Sequence, residues 1–185
     1  MSCDKISNIS DFIHIDIVDK SYNPNCKDVK AYRAEVVRAY WQNKKIEVHI
    51  MSKHPSVWLE DLSSIIDKIN SSKVEAVIAL SVYEPIEIID SYIENNKIKH
   101  GLLLTIPQPG FSGQKFDISA LPILEKLNAH KNRSEFKICV DGGVNDSTVK
   151  YLNVESVVSG SYILGAPNPI KNIMHLQTSG EYAQY

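Results

Sequence analysis

Two histidines and two aspartates stand where their side chains could converge on a divalent cation. In Phe12–Val18 residues alternate between two faces, so Ile13, Ile15 and Ile17 share one face while His14 and Asp16 share the other. In Ile46–Met51, Ile46, Val48 and Ile50 oppose Glu47, His49 and Met51. In Lys137–Asp141, Ile138 and Val140 oppose Cys139 and Asp141. Each segment sets His or Asp against an aliphatic stripe, toward its C-terminal end. That is where α/β barrels and open α/β sheets hold their chemistry. Imidazole with carboxylate suits Zn, Fe, Mn or Co. A lone strand histidine is more often a hydrogen-bonded core residue than a ligand; the His-x-Asp pairing on one face adds weight to the ligand reading without displacing the core one. Glu47, Met51 and Cys139 read as packing or rim residues. His54, His100, His130 and His175 fall in helix or loop contexts and read as surface residues.

A second chemistry is suggested by glycine. All eight glycines lie after residue 100, six of them (Gly110, Gly113, Gly142, Gly143, Gly160, Gly165) at or just beyond the ends of apolar runs. Glycine there permits positive φ and lets backbone N–H groups approach a ligand. The loop Pro107–Gln114 (PQPGFSGQ), the Asp141-Gly142-Gly143 turn and Gly160-Ser161 in the final predicted strand together point to a phosphorylated ligand. Each alone is a weak signal: the Pro107–Gln114 loop also reads as a tight connection, and the Asp141-Gly142-Gly143 turn directly after a strand is the stronger one.

Positioning these residues requires strands and crossovers. Six segments read as strands: Asp11–Asp19, Lys45–Met51, Val74–Ser81, Gly101–Ile106, Phe136–Asp141 and Ser156–Leu164. Helical patterns fill the gaps at Asp28–Gln42, Ser56–Ile69, Ile86–Glu94 (opened by Pro85), Ile118–His130, Ser147–Asn153 and Pro169–Leu176. Alternating strand and helix predicts parallel strands joined by right-handed crossovers in one α/β domain over residues 1–185. A net charge of −2 offers nothing to attract nucleic acid, and no apolar run approaches the roughly 18–20 residues of a membrane span. Three scattered cysteines and no signal-peptide layout predict reduced thiols and a cytoplasmic protein.

Longer motifs carry a resemblance. HIDIVD with SYNPN, VHIM, IALSVYEPIEII, LLLTIPQPGFSGQKF, ICVDGGVN and VVSGSYILGAP occur in collinear order across nearly the whole chain. In these motifs the sequence resembles the ribulose-phosphate 3-epimerase family, with PGFSGQKF and VDGGVN the most specific. The resemblance implies a TIM-type (β/α) barrel and a divalent metal ion held by His14, Asp16, His49 and Asp141. It implies Asp16 and Asp141 as the acid/base pair. Gly110, Phe111, Ser112, Gly113, Gly142, Gly143, Gly160 and Ser161 would hold the phosphate end of a sugar phosphate, with His49 against the substrate. The implied reaction is inversion at C3 of D-ribulose 5-phosphate to D-xylulose 5-phosphate, a step of the pentose phosphate pathway in carbohydrate metabolism.

The sequence also departs from the family pattern. The usual first β/α unit, with its substrate-contacting Ser, and one β/α unit within Ser52–Ser72 are expected to be missing, leaving a reduced barrel of about six strands with outer helices. Val18 and Leu104 replace methionines, Lys20 a glycine and Ser112 a glycine. A barrel short of strands would expose edges, which predicts a homo-oligomer, a dimer being the simplest. Two alternatives stay open: an epimerase for another ketose phosphate, and a non-catalytic sugar-phosphate-binding or partner protein on a shortened scaffold.

Overall fold

Isoleucine and valine at every second position draw Phe12–Val18 (β1) and Lys45–Met51 (β2) into extended backbone, where β-branched side chains fit a half-buried pleat. The computed structural model describes residues 6, 8–27, 36–37, 39–41, 44–58, 62, 77–85, 87 and 99–181. The chain divides into two compact units, one of Met1–Val74 with Pro109–Phe111, the other of Glu75–Gln108 with Ser112–Tyr185.

In the first unit β1 and β2 form a parallel ladder running from Phe12 opposite Lys45 to Val18 opposite Met51. Ile17 is 1% exposed and packs with Leu62, flanked by Ile15, Val48, Ile50 and Trp58. The aliphatic stripes thus face apolar partners on one side of the sheet, leaving the other side to the polar residues. Residues 36–37, 39–40, 55–58 and 62 are helical, in keeping with the first two predicted helices. The remainder of Asp28–Gln42 and Ser56–Ile69 lies largely outside the described residues, as does nearly all of Ile86–Glu94.

The second unit is a four-stranded parallel sheet in the order Val77–Leu80 (β3), His100–Leu104 (β4), Lys137–Asp141 (β5) and Ser156–Val158 (β6). Helix Ala120–Asn128 (α1) lays Ala120, Leu124 and Leu127 against Leu103, Ile138 and Val140, with Leu176 in the same cluster. Leu176 comes from the last helix, Pro169–Glu181 (α3), which starts at its expected proline and runs past the predicted end. His100 opens β4 rather than sitting in a loop or helix. His130 is half-buried, its ring edge-on to Phe136, and so is not the surface residue expected.

Two expected elements are corrected. The predicted strand Ser156–Leu164 ends at Val158, and Ser161–Leu164 is a short helix (α2) behind Gly160. The reason is the partner: β5 stops at Asp141, which pairs with Val158, so no ladder exists for the chain to continue along. Ser159 instead donates through Oγ to the Val144 carbonyl at 2.7 Å. The predicted helix Ser147–Asn153 is a single 3-10 turn, Val149–Tyr151. Asn145 explains it: its side-chain oxygen accepts from the Ser147 N–H at 2.8 Å, while its carbonyl receives the N–H groups of Thr148 and Val149. Such local bonding favours turns over α-helix.

One ionic staple fixes the entry to β5. Arg133 donates to the Phe136 carbonyl at 2.8 Å, to Asn128 at 2.9 Å and to Glu155 at 2.7 Å. The second Glu155 oxygen accepts from the Ile138 N–H at 2.7 Å. Burial pushes the Glu155 carboxyl up, yet the Ile138 N–H and the Arg133 guanidinium hold it below its ordinary 4.5. A lowered folded value means stability that is complete above pH 4.5 and is lost as pH falls through the folded value. Glu155→Gln is therefore expected to lower the urea midpoint at neutral pH, with the gap to the parent closing in acid. A gap that does not change with pH would refute the ionic role.

Candidate functional site

The ladder decides which polar residues of the first unit touch. Parallel register sets His14 beside Glu47 and Asp16 beside His49, on one face of the sheet. One oxygen of Asp16 lies 3.2 Å from Nε2 of His14 and 3.1 Å from Nδ1 of His49. The two imidazoles are tilted, with centroids 5.8 Å apart. His14 and His49 side chains are 5% and 9% exposed, whereas that of Asp16 is 48% exposed. Burial works against ionisation of Asp16, but hydrogen bonds from His14 and His49, and their charge, hold its carboxyl well below the usual range. The arrangement is a chelating corner. Two ring nitrogens and a carboxylate offer donor atoms within 4.8 Å of one another, the donor set that borderline divalent cations prefer. These residues fit a metal ion.

Glu47 is more than a packing or rim residue. Its carboxylate accepts from Nδ1 of His14 at 2.8 Å. Sequence spacing alone left this pairing invisible, because it depends on how β1 and β2 are registered.

Asp19 anchors the turn that follows β1. It accepts from the N–H groups of Ser21 at 2.9 Å and Tyr22 at 3.1 Å, from the Ser21 hydroxyl, and from the Trp58 indole at 2.9 Å. Hydrogen bonds from Ser21, Ser52 and Trp58 hold its carboxyl below the usual range. Gly110 belongs to this unit, where a Cβ would stand 3.2 Å from Val18 and 3.6 Å from Asn23. Its neighbour Phe111 is 42% exposed.

In the second unit Asp141 ends β5, and Gly142 and Gly143 follow with φ of 119° and 68°. Thr105, fully buried, holds this turn. Its N–H donates to the Asp141 carbonyl at 2.8 Å, and its hydroxyl oxygen lies 2.6 Å from the Gly142 carbonyl. Thr105→Val would strip that carbonyl of its partner, at an expected cost of about 1–3 kcal/mol by denaturant titration, with Thr105→Ser close to the parent. Equal stability of the Val and Ser variants would dismiss the hydroxyl. Ser112 and Gly113 lie on the loop after β4, and Gly160 and Ser161 sit beyond the end of β6. These segments follow three adjacent strands of one sheet. Gly160 and Ser161 were expected within a strand, and they instead cap and open α2.

The model of the Ribulose-phosphate 3 epimerase family matches residues 2–65 and 59–164. The overlap of the two matches falls within Ser52–Ser72, where one β/α unit was expected to be absent. The chain is 27% identical over 194 residues to a Bacillus subtilis ribulose-phosphate 3-epimerase, covering 92% of this chain and 87% of that one. It is 28% identical over 202 residues to the cytoplasmic isoform from Oryza sativa, covering 95% and 85%. The structure superimposes on 3-hexulose-6-phosphate synthase from Salmonella typhimurium with a TM-score of 0.66 at 14% identity, covering 98% of this chain and 91% of that one. That likeness shows the fold to be the expected TIM-type (β/α) architecture. With its His-x-Asp strand, its Pro-Gly-Phe loop and a match spanning most of its length, the chain belongs to the ribulose-phosphate 3-epimerase family, whose named relatives are carbohydrate isomerases.

Proposed function

We propose that this chain interconverts D-ribulose 5-phosphate and D-xylulose 5-phosphate by epimerisation at C3. In this reading residues 1–185 act as one (β/α) domain, and His14, Asp16, His49 and Asp141 hold a divalent ion (Zn, Fe, Mn or Co). When bound, that ion supplies positive charge to the oxygens on which an enediolate develops. Asp16 and Asp141 perform the proton transfers. One carboxylate takes the C3 proton, the electron pair of that C–H bond forms the C2–C3 double bond, and the π pair of the C2 carbonyl moves onto its oxygen, returning when C3 is reprotonated. The other then delivers a proton to the opposite face, and the roles reverse in the return direction. His49 stands against the substrate. Gly110, Phe111, Ser112, Gly113, Gly142, Gly143, Gly160 and Ser161 hold the phosphate, which orients C3 for both carboxylates.

The observation that carries this reading is the meeting of two histidine nitrogens on one Asp16 oxygen, in a chain of this family. The test is a coupled assay for D-xylulose 5-phosphate on metal-loaded and chelated protein side by side. Metal-dependent turnover supports the proposal. Bound metal without turnover favours an epimerase for another ketose phosphate, and neither favours a non-catalytic sugar-phosphate-binding or partner protein. The other-substrate reading has an observation of its own: Val18 and Leu104, both 5% exposed, replace family methionines. The remaining partners of this reading are a second copy of the chain, as a homodimer, with no nucleic acid and no membrane. A monodisperse monomer by light scattering would remove the dimer. No helix among the described residues is long and apolar enough to cross a membrane. A cytoplasmic location is proposed on the cysteine pattern and the cytoplasmic Oryza relative.

A further inference from the structure

We infer that Glu47 is a positioning residue for the metal centre, fixing His14 with its proton on Nδ1 so that Nε2 is the nitrogen presented to the cation. The inference rests on the metal reading above and concerns a residue to which sequence motifs assign no role. An imidazole binds a cation through a lone pair, so one nitrogen must be bare while the other carries hydrogen. Free imidazole does not choose firmly between its nitrogens. Here the choice is built in. The Glu47 carboxylate sits 2.8 Å from Nδ1, and only a protonated Nδ1 can donate to it. Nε2 faces Asp16 at 3.2 Å, on the side where His49 Nδ1 also arrives, so a proton shared with that carboxylate in the metal-free protein is the one a cation displaces, while the Nδ1 proton stays on Glu47.

Geometry supports orientation as well as proton placement. Glu47 is the ladder neighbour of His14, so the carboxylate is delivered by rigid backbone rather than by a loop. The His14 and Glu47 side chains are 5% and 12% exposed, leaving little room for either to swing away. A carboxylate behind a ligating histidine also makes the imidazole a stronger donor, and loss of such partners commonly costs about 10–100-fold in metal affinity.

The test uses the full chain with cobalt(II) as probe, its affinity read by chelator competition and its geometry by the visible d–d bands. Glu47→Ala is expected to weaken cobalt binding by about 10–100-fold and to alter the bands. Glu47→Gln, which keeps an acceptor oxygen for Nδ1–H and the same shape, is expected to fall between the two. Nitrogen-15 spectra of the metal-free protein should show the His14 Nδ1 protonated in the parent and in Glu47→Gln, and bare in Glu47→Ala. Parent and both variants binding cobalt within about threefold, with only their melting temperatures changed, would overturn the inference and leave Glu47 as a buried structural partner. A parent that takes up no cobalt would overturn the metal reading itself, an outcome distinct from the first. The Gln variant keeps the test decisive where the Ala variant fails to fold.

Discussion

Asp141→Asn is expected to stop turnover while phosphate binding persists. The amide matches the carboxylate in shape but can neither accept the substrate proton nor return it. Losing one positioned acid or base typically costs about 10²–10⁴-fold, and in the proposed reading the same substitution also removes an anionic metal ligand, so the upper part of that range is expected. Asp16→Asn should behave alike for the same two reasons. The double variant should be little worse than either single one, because residues that act as a unit do not contribute additively. Turnover from the coupled assay at saturating metal, beside inorganic phosphate binding by calorimetry, checks both halves of the statement. Activity within about tenfold of the parent would show that Asp141 is not one of the two proton carriers.

Gly143→Ala is expected to have the largest effect on stability. The residue sits at φ 68°, and a Cβ there would lie 2.2 Å from the backbone nitrogen of Phe116 and 2.7 Å from its Cα. Backbone cannot rotate aside as the end of a side chain can. Left-handed strain of about 1–3 kcal/mol joins an overpacking cost of about 1–3 kcal/mol, so a loss of about 2–6 kcal/mol is expected. For a chain of this size that lowers the melting temperature by roughly 10 °C. Calorimetry reads it directly. A drop of less than about 2 °C would show that the Lys115–Phe116 segment yields easily. Gly160 provides the contrast: a Cβ there meets nothing within 4 Å, so Gly160→Ala should leave melting nearly unchanged.

What the sequence made legible follows from which properties are local. Side-chain alternation is local, so the sharing of one strand face by His14 and Asp16 was readable from the pattern of Ile13, Ile15 and Ile17. The same logic placed His49 opposite Val48 and Ile50, and Asp141 opposite Val140. Register is not local. Which residue of β2 stands beside His14 depends on pairing between segments some thirty positions apart, so Glu47 passed for a rim residue until the ladder was seen. Strand ends are not local either. VVSGSYIL has the composition of one long strand, yet it turns after Val158 because its neighbour stops at Asp141. Thr105 hid in plain sight within LLLTI. Its value lies in two carbonyls of a segment far along the chain, and no spacing within its own strand reports them.

The ladder between β1 and β2 has a genetic corollary. Four adjoining side chains are held in a two-by-two grid by strands of only seven residues each. A point change alters one corner of that grid, whereas loss of a single codon between His14 and Asp16 inverts everything beyond it, turning an aliphatic side chain toward the chelating corner and a carboxylate toward Leu62 and Trp58. Loss of two codons restores the facing but draws the strand one full step past its partner. Within these fourteen positions the reading frame of the sheet is as unforgiving as that of the message, and length rather than composition is the property least free to vary.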